Sequence, residues 1–275
     1  MAPEGASADR TAGGRATTRR ALVVTGGHGF DEPSFAAMLA ALPAVAVERV
    51  AHPDADDRLH PDRLDADVVV LYDLPGVRLA RGRPAEPFPP PPEVVEGWEG
   101  LLAQGVPIVA LHHSLCSWPL WPRFADLLGG VFLYAPGKVA GQDWPDSGYR
   151  LDVPQVLTVV APEHPVCAGL PPSFALTDEP YLCPIFEDAV TPLLRTDAPR
   201  TDADHESVAR ALVPADATSA TWHHPPGSSL AAWTHRVERS TVVYLQPGDG
   251  PGAFANDHYR RLLTNAITWA ASTRP

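Results

Sequence analysis

Residues 105–118, GVPIVALHHSLCSW, contain the pattern that decides the fold: a short apolar run that ends in two adjacent histidines. The run over residues 106–111 predicts a buried strand, because it is short and apolar along its whole length. Similar runs precede it at residues 21–26, 45–50 and 68–72. The first half of the chain therefore contains four candidate strands.

Helical patterns lie between these strands. Asp31 is placed to cap one helix, and residues 93–104 form a second amphipathic pattern that ends at Gly105. The apolar positions are Phe35, Met38, Leu39 and Leu42 in the first helix and Val94, Trp98, Leu101 and Leu102 in the second. Short alternation of strand and helix predicts an α/β fold, with a parallel sheet covered by helices on both faces.

The second half of the chain is less regular, although its apolar runs still predict strands. Residues 197–206 are acidic and predict a loop, and Asn256 is placed to cap a closing helix. The proline-rich residues 84–92 predict an extended surface loop, inserted within the strand–helix alternation. The further candidate strands are residues 157–160, 174–177, 190–195, 208–213, 230–235 and 241–245. We therefore expect a single α/β domain over residues 20–275.

The N-terminal residues 1–19 are rich in alanine, glycine, threonine and arginine, and they predict a disordered tail. Arg19 and Arg20 precede an apolar stretch, as in a twin-arginine export sequence. That stretch ends after residue 24, whereas an export sequence needs an apolar core of about 7–15 residues. We therefore expect a cytoplasmic protein.

Composition and charge exclude several classes of protein. The chain has 275 residues of which 45% are hydrophobic, which is typical of a globular protein. A net charge of −12 disfavours binding to the phosphate backbone of nucleic acids. Three widely spaced cysteines support neither a disulfide framework nor a thiolate zinc site. No apolar run approaches the ~18 residues of a membrane span.

Ligands of open parallel sheets bind beyond the carboxyl ends of the strands. Three loops leave those ends, at residues 26–31, 72–76 and 112–116. The third begins with His112 and His113, whose imidazoles can supply a general base near neutral pH or a metal ligand. Adjacent side chains point in different directions, so which of the two faces the pocket stays open.

Other polar residues are candidates at the same edge of the sheet. His28 lies in a glycine turn that either binds an anionic or electron-rich group or is merely structural. Asp178 and Glu179 end a candidate strand and either take a proton from carbon, hold a metal or form a solvated turn before Pro180. Gln246 follows the last strand and is placed to line a pocket.

Cys116 and Trp118 follow the histidine pair. Cys116 has bulky neighbours, which argues against a nucleophile on a sharp turn and predicts a packed, inert thiol. Trp118 is a candidate for stacking on a sugar ring, although most tryptophans lie in the core.

The order and spacing of these motifs resemble the trehalose-utilisation family of ThuA-like proteins, a branch of the class I glutamine amidotransferase-like superfamily. The matching stretches are residues 22–31 (LVVTGGHGFD), 67–76, 105–118, 164–166, 169–170, 178–181 and 256–271. The resemblance extends from about residue 21 to the end of the chain. It implies an open, flavodoxin-like sheet in which His28, one of the two adjacent histidines and residues 178–181 approach one another.

The chain departs from the family pattern in two places. The family often has Leu-Gly-His after the last strand, and residues 245–249 read Leu-Gln-Pro-Gly-Asp instead. The amidotransferase nucleophile with small flanking residues is also absent. Neither the role of that histidine nor glutamine hydrolysis is therefore implied.

The resemblance implies a sugar-catabolic enzyme that cleaves a 3-keto-glycoside or a related oxidised disaccharide by base-assisted elimination and hydration. The implied catalytic residues are His112, His113 and Glu179, and the implied substrate-binding residues are His28, Asp31, Asp178, Tyr181, Gln246 and Trp118. If a divalent metal such as zinc or manganese is bound, the expected ligands are His28, His112 and Glu179. The expected partner is a small carbohydrate-like substrate, and a homo-oligomer stays open.

Two other functions stay open at this point. One is a non-catalytic small-molecule-binding or scaffold protein on the same fold, and the other is a hydrolase of another small metabolite. A fold alone does not decide among them, because unrelated activities share folds.

Overall fold

A nine-stranded sheet forms the centre of the molecule. The computed structural model describes residues 18–213 and 221–275. The strands are β1 (Arg19–Gly26), β2 (Val45–Ala51), β3 (Val68–Asp73), β4 (Val77–Arg78), β5 (Glu86–Pro87), β6 (Ile108–Leu111), β7 (Gly137–Val139), β8 (Gln142–Trp144), β9 (Gly148–Tyr149), β10 (Val153–Val159), β11 (Ser173–Asp178), β12 (Tyr181–Leu182), β13 (Thr191–Thr196), β14 (Glu206–Ser207), β15 (Leu230–Val237) and β16 (Ser240–Leu245). The α-helices are α1 (Glu32–Ala40), α2 (Asp54–Arg58), α3 (Pro92–Ala103), α4 (Pro122–Leu128), α5 (Val208–Leu212), α6 (Pro251–Phe254) and α7 (Asp257–Ser272).

The central sheet has the strand order β11-β10-β13-β15-β16-β6-β3-β1-β2. The last five strands in this order pair in parallel, whereas the four pairings from β11 to β16 are antiparallel. These alternations turn β13 and β11 back to the direction of the parallel strands. The five parallel strands plus these two give seven of the nine strands one direction. The mostly parallel α/β sheet predicted from the sequence is confirmed.

Helices cover both faces of the sheet, as predicted. On one face, Phe35 of α1 and Leu263 of α7 join a core with the apolar side chains of the strands. On the other face, Trp98 of α3 and Phe124 of α4 join a second core. Alternate residues of the buried parallel strands supply the two cores, because successive side chains of a strand point to opposite faces.

The predicted caps are present at the ends of the two predicted helices. The side chain of Asp31 accepts a hydrogen bond from the backbone N–H of Ser34 at 2.9 Å. Asn256 does the same for the N–H groups of His258 and Tyr259 at the start of α7. Each cap satisfies backbone donors that the first helical turn leaves unpaired.

Residues 208–213 differ from the sequence prediction. They are predicted as a strand, but residues 208–212 form helix α5. The hydroxyl of Ser207 accepts a hydrogen bond from the N–H of Arg210 at 3.2 Å and caps this helix. The strand prediction is wrong here because a serine cap and a short helical turn outweigh the β-propensity of a few apolar residues. The other candidate strands of the second half are present, with shifted ends.

The proline-rich residues 84–92 contain one regular feature that the sequence did not predict. Strand β5 pairs with β4 in antiparallel fashion, so that Val77 lies opposite Pro87. Proline is tolerated in so short a pairing because it sits where no ladder donor is needed. Helix α3 then begins at Pro92, a residue type that suits the first helical turn.

The hairpin of β10 and β11 extends beyond the edge of the sheet. Only residues 157–159 of β10 pair with β13, whereas the pairing of β10 with β11 continues to Val153 and Asp178. The end of β11 is therefore free to reach over the carboxyl ends of the parallel strands. This overhang brings residues 178 and 179 to the loop after β16. Without it, they would lie far from that loop, because three strands separate β11 from β16 in the sheet.

No helix among the described residues is long and apolar enough to cross a membrane. Most of the predicted tail, residues 1–17, lies outside the described residues. Strand β1 already begins at Arg19, so the regular structure starts one residue before the predicted domain boundary.

Candidate active site

A cleft of about 500 Å³ lies beyond the carboxyl ends of the parallel strands. Its lining includes five polar or ionisable side chains that come from separate parts of the chain: His28, His113, Glu179, Tyr181 and Asp249. The loops after β1, β6, β11 and β16 supply four of them. The cleft thus lies where an open α/β sheet is expected to bind a ligand.

His112 lies directly behind the wall of this cleft and is fully buried. It begins a turn of 3-10 helix after β6 and has a φ of +43°, a left-handed conformation that costs a non-glycine residue about 1–2 kcal/mol. Its backbone carbonyl accepts a hydrogen bond from the hydroxyl of Tyr244 at 2.7 Å. Its ring Nδ1–H donates to the backbone carbonyl of Gln246 at 2.8 Å. These contacts fix both the backbone and the ring plane of His112.

The other ring nitrogen of His112 meets three acidic or hydroxyl groups. Its Nε2 lies 2.9 Å from Oε2 of Glu179, 3.4 Å from Oδ1 of Asp249 and 2.8 Å from the hydroxyl of Tyr181. Burial opposes a charge on the ring, but the hydrogen bonds to Asp249 and Glu179 outweigh it and raise the pKa of His112 to about 10. In the absence of a bound cation, His112 is therefore positively charged at neutral pH.

Asp178 holds the loop after β16 against the end of β11. Its carboxylate accepts hydrogen bonds from the backbone N–H groups of Gly248 at 2.6 Å and Asp249 at 3.0 Å, and from that of Glu179 at 2.9 Å. Gly248 has a φ of +132°, and a Cβ there would collide with the hydroxyl of Tyr259. A glycine is therefore required for the path that brings Asp249 to His112.

His113 is buried, and its ring lies against those of His28 and Tyr72, with centroid distances of 4.7 and 4.3 Å. Neither of its ring nitrogens has a hydrogen-bond partner among the described residues. Burial, together with the nearby charge of His112, lowers the pKa of His113 well below its ordinary value. The two adjacent histidines therefore differ in charge at neutral pH.

His28 lies at the mouth of the cleft and is exposed to solvent. Partial desolvation in the cleft and the charge of His112 lower its pKa. The turn that presents it needs Gly27, because a Cβ at that position would collide with the backbone carbonyl of Leu74. The close approach of two loops thus explains the glycine turn after β1.

A second charged group supports the turn that contains the two histidines. Asp73, at the end of β3, lies 2.8 Å from Nε2 of His52 and accepts a hydrogen bond from the hydroxyl of Ser114 at 3.3 Å. Asp56 lies 3.0 Å from the other nitrogen of His52. Burial opposes protonation of His52, but the two carboxylates raise its pKa to about 10. An ionic cluster therefore connects β2 and β3 to the active-site turn.

Several of the residues singled out from the sequence lie outside the polar part of the cleft, and the lining does not include Asp178 or Gln246. Asp31 is exposed and caps α1. Trp118 is buried, and its ring packs against Gly76 and edge-on to Phe88 at a centroid distance of 6.0 Å. Cys116 contacts the cleft, but burial raises the pKa of its thiol well above the ordinary value, as expected of an inert cysteine.

The side chains of His112, Glu179 and Asp249 fit a divalent metal ion. Their ligand atoms all lie within 4.8 Å of one another. Because Nδ1–H of His112 donates to a backbone carbonyl, a neutral ring presents the lone pair of Nε2 to the two carboxylates, which is the arrangement of many histidine ligands. A donor set of one imidazole and two carboxylates suits zinc or manganese. This group includes Asp249 and not His28, and the ligand set with His28 stays a prediction.

We expect stoichiometric binding of Zn²⁺ or Mn²⁺ to the purified protein, and we expect Asp249→Asn to weaken it at least about 10–100-fold, the usual cost of disturbing a ligand's surroundings. His28→Ala is the matched control, because His28 contacts His113 rather than the three ligand atoms. Metal content after dialysis and competition with a chelator measure both effects. Loss of the metal in His28→Ala and its retention in Asp249→Asn would restore the ligand set predicted from the sequence.

Asp249 is the main residue of the cluster that the sequence did not single out. It lies in the stretch that departs from the Leu-Gly-His pattern, and the motif Gly248-Asp249-Gly250 alone is typical of an ordinary turn. The hydrogen bond to His112 lowers the pKa of Asp249, so this carboxylate is ionised at neutral pH.

Comparison with known proteins identifies the protein family of this chain. The ThuA family model, described as trehalose utilisation, matches residues 20–270. No curated protein matches the chain. Among solved structures, a putative ThuA-like protein from Parabacteroides merdae is 15% identical with a TM-score of 0.64, and the match covers 93% of this chain and 91% of that one.

Two further structures share the architecture. A putative ThuA-like protein from Bacteroides uniformis is 20% identical with a TM-score of 0.58, covering 98% of this chain and 95% of that one. A cytoplasmic protein from Salmonella typhimurium is 11% identical with a TM-score of 0.54, covering 90% and 98%. At these identities the likeness concerns the fold alone, and it agrees with the open α/β sheet that the resemblance implies.

Proposed function

Because the chain belongs to the ThuA, or trehalose utilisation, family, we propose that it cleaves a 3-keto-glycoside by base-assisted elimination followed by hydration. The observation that carries this proposal is the state of His113. Its two ring nitrogens have no partner among the described residues, and it lines the cleft beside the His112–Glu179–Asp249 cluster. A buried imidazole without hydrogen bonds is costly to maintain and calls for an explanation. We assign it to proton transfer.

The reaction has a simple electron balance. A ketone at C3 acidifies the proton on C2 of the sugar. His113 takes that proton, and the electrons of the C2–H bond form an enolate. The enolate then re-forms the C3 ketone as its electrons make the C1–C2 double bond. The C1–O bond breaks, its electrons leave with the glycosidic oxygen, and that oxygen takes up a proton to become an alcohol. Addition of water across the resulting C1–C2 double bond, with hydroxyl to C1 and hydrogen to C2, gives the free keto-sugar.

Other residues of the cleft have supporting roles in this proposal. His28, exposed at the mouth and in contact with His113, is placed to donate a hydrogen bond to the enolate oxygen. The hydroxyl of Tyr181 is held by its hydrogen bond to His112, and we assign it to donating the proton that the leaving oxygen takes up. Glu179 is occupied by its contact with His112, so we assign it to orienting that ring rather than to proton abstraction.

A divalent cation held by His112, Glu179 and Asp249 would supply a Lewis acid for the developing enolate charge. We assign the proton abstraction to His113 in either case. Asp178 and Gln246 act through the backbone of the cluster: Asp178 holds Gly248 and Asp249, and the side-chain amide of Gln246 donates to the carbonyl of Glu179. We therefore call both of them positioning residues.

The test compares 3-keto-trehalose with trehalose itself. We expect cleavage of the oxidised sugar only, because without the ketone the C2 proton is not acidic. A substrate with deuterium at C2 should react more slowly, since the C2–H bond breaks in the proposed step. Equal rates for oxidised and unoxidised trehalose would contradict elimination and favour a hydrolase of another kind, whereas binding without any turnover would favour a non-catalytic protein.

A further inference from the structure

The part of the cleft that lies away from the histidines is apolar. Two leucines with unusually large exposure line it, Leu79 at 39% and Leu151 at 58%. They come from separate loops, one after β4 and the other between β9 and β10. Exposing a leucine side chain to water is unfavourable. Two exposed leucines in one cleft therefore form a surface that an apolar ligand can cover favourably.

A small three-stranded sheet leads from the reactive cluster to this apolar part of the cleft, which we call the apolar wall and which includes Leu79, Leu151 and Val208. In the order β12-β9-β14, Tyr181 lies opposite Tyr149, which in turn lies opposite Glu206. Tyr181 contacts His112, whereas Val208 follows β14 and lines the cleft. Neighbouring strands are about 4.8 Å apart, so the wall extends about 10 Å from the reactive cluster.

The far end of the wall closes against the loop that contains Leu79. The backbone N–H of Gly82 donates to the carbonyl of Leu212, the last residue of α5, at 2.9 Å. Leu79 and α5 thus belong to the same end of the cleft. Reaction at C1 takes place near Tyr181 in the proposed function, and whatever is attached to C1 then lies along this wall.

We propose that the wall is a leaving-group subsite and that the substrate is a 3-keto-glucoside with an apolar, aromatic aglycone rather than a disaccharide. The inference rests on the proposed function. A second sugar would place hydroxyl groups against Leu79, Leu151 and Val208, whose side chains offer no hydrogen bonds to recognise it. An aromatic ring gains free energy on the same surface, and Tyr149 adds a ring to it.

The experiment uses three substrates with the same oxidised glucose: methyl 3-keto-α-glucoside, 2-phenylethyl 3-keto-α-glucoside and 3-keto-trehalose. The methyl and phenylethyl groups leave as simple alcohols of similar acidity, so a difference between them reports binding of the aglycone. We expect kcat/KM for the phenylethyl glucoside to exceed that for the methyl glucoside by about 10-fold or more, which corresponds to about 1.4 kcal/mol. Because the anomeric leaving group of 3-keto-trehalose is more acidic, this substrate is compared by KM, which we expect to be higher than for the phenylethyl glucoside.

The Leu79→Asn/Leu151→Asn double variant should remove most of this preference for the phenylethyl substrate over the methyl one. Leu120→Asn is the matched control, because Leu120 is exposed to 51% but does not line the cleft, and it should keep the preference. Equal kcat/KM for the methyl and phenylethyl substrates, or a lower KM for 3-keto-trehalose than for the phenylethyl glucoside, would overturn the subsite and leave the proposed function standing. If none of the three is cleaved, the proposed function fails and the subsite with it.

Discussion

Replacing His113 with leucine should abolish cleavage of a 3-keto-glycoside while leaving the free energy of unfolding unchanged or slightly higher. The loss of a general base lowers kcat by about 10²–10⁴-fold. Stability should not fall, because neither ring nitrogen of His113 has a partner among the described residues, and a leucine of similar size removes two unpaired polar atoms from a buried position. Activity and stability therefore respond in different ways to one substitution.

His235→Leu is the matched control for this prediction. Nε2 of His235 lies 2.8 Å from the backbone carbonyl of Leu127, away from the cleft. Leucine at this position should leave that carbonyl without its partner and lower the melting temperature, with kcat preserved. Thermal unfolding and initial rates on 3-keto-trehalose measure both variants. A His113→Leu protein that unfolds more easily but turns over normally would show that His113 has only a structural role.

The sequence predicts the parallel half of the sheet well because its strands are short apolar runs separated by capped helices. Asp31 and Asn256 cap the helices that they are predicted to cap. The prediction fails at residues 208–213, where a five-residue helix has too few turns to show helical periodicity. Strand order could not be predicted from these runs either. The sequence of each antiparallel strand between β11 and β15 does not indicate which strands pair with it.

Only part of the cluster around His112 could be predicted. The position of His112 after a buried strand shows that it lies at the ligand-binding edge. Its contact with Glu179 depends on the overhang of the β10–β11 hairpin, which is a matter of register between distant strands. The position of Asp249 beside His112 depends on the backbone path through Gly248. The charge difference between His112 and His113 follows from these contacts and has no counterpart in the sequence.

The second large effect concerns stability: His112→Ala should lower the free energy of unfolding by about 3 kcal/mol. Breaking a buried ion pair costs about 3–5 kcal/mol because a charge is left without its partner. We expect the lower end, since the side chain of Asp249 is 33% exposed, although that of Glu179 is only 11% exposed. The carbonyl of Gln246 also loses the donor Nδ1–H. The measurement is urea unfolding of protein dialysed against a chelator, so that any cation is absent.

A double-mutant cycle separates the ion pair from the loss of packing. Asp249→Asn removes one of the two carboxylates that face His112 and keeps the shape of the side chain. If the pair is the cause, the two substitutions together should cost less than the sum of their separate effects, by about 1 kcal/mol or more. Additive effects would mean that the charge of Asp249 is not a cause, and that the cavity left by the ring or the carboxylate of Glu179 destabilises the variant. That result would also remove Asp249 as a cause of the charge on His112 and leave Glu179, at 2.9 Å, as its remaining ion-pair partner.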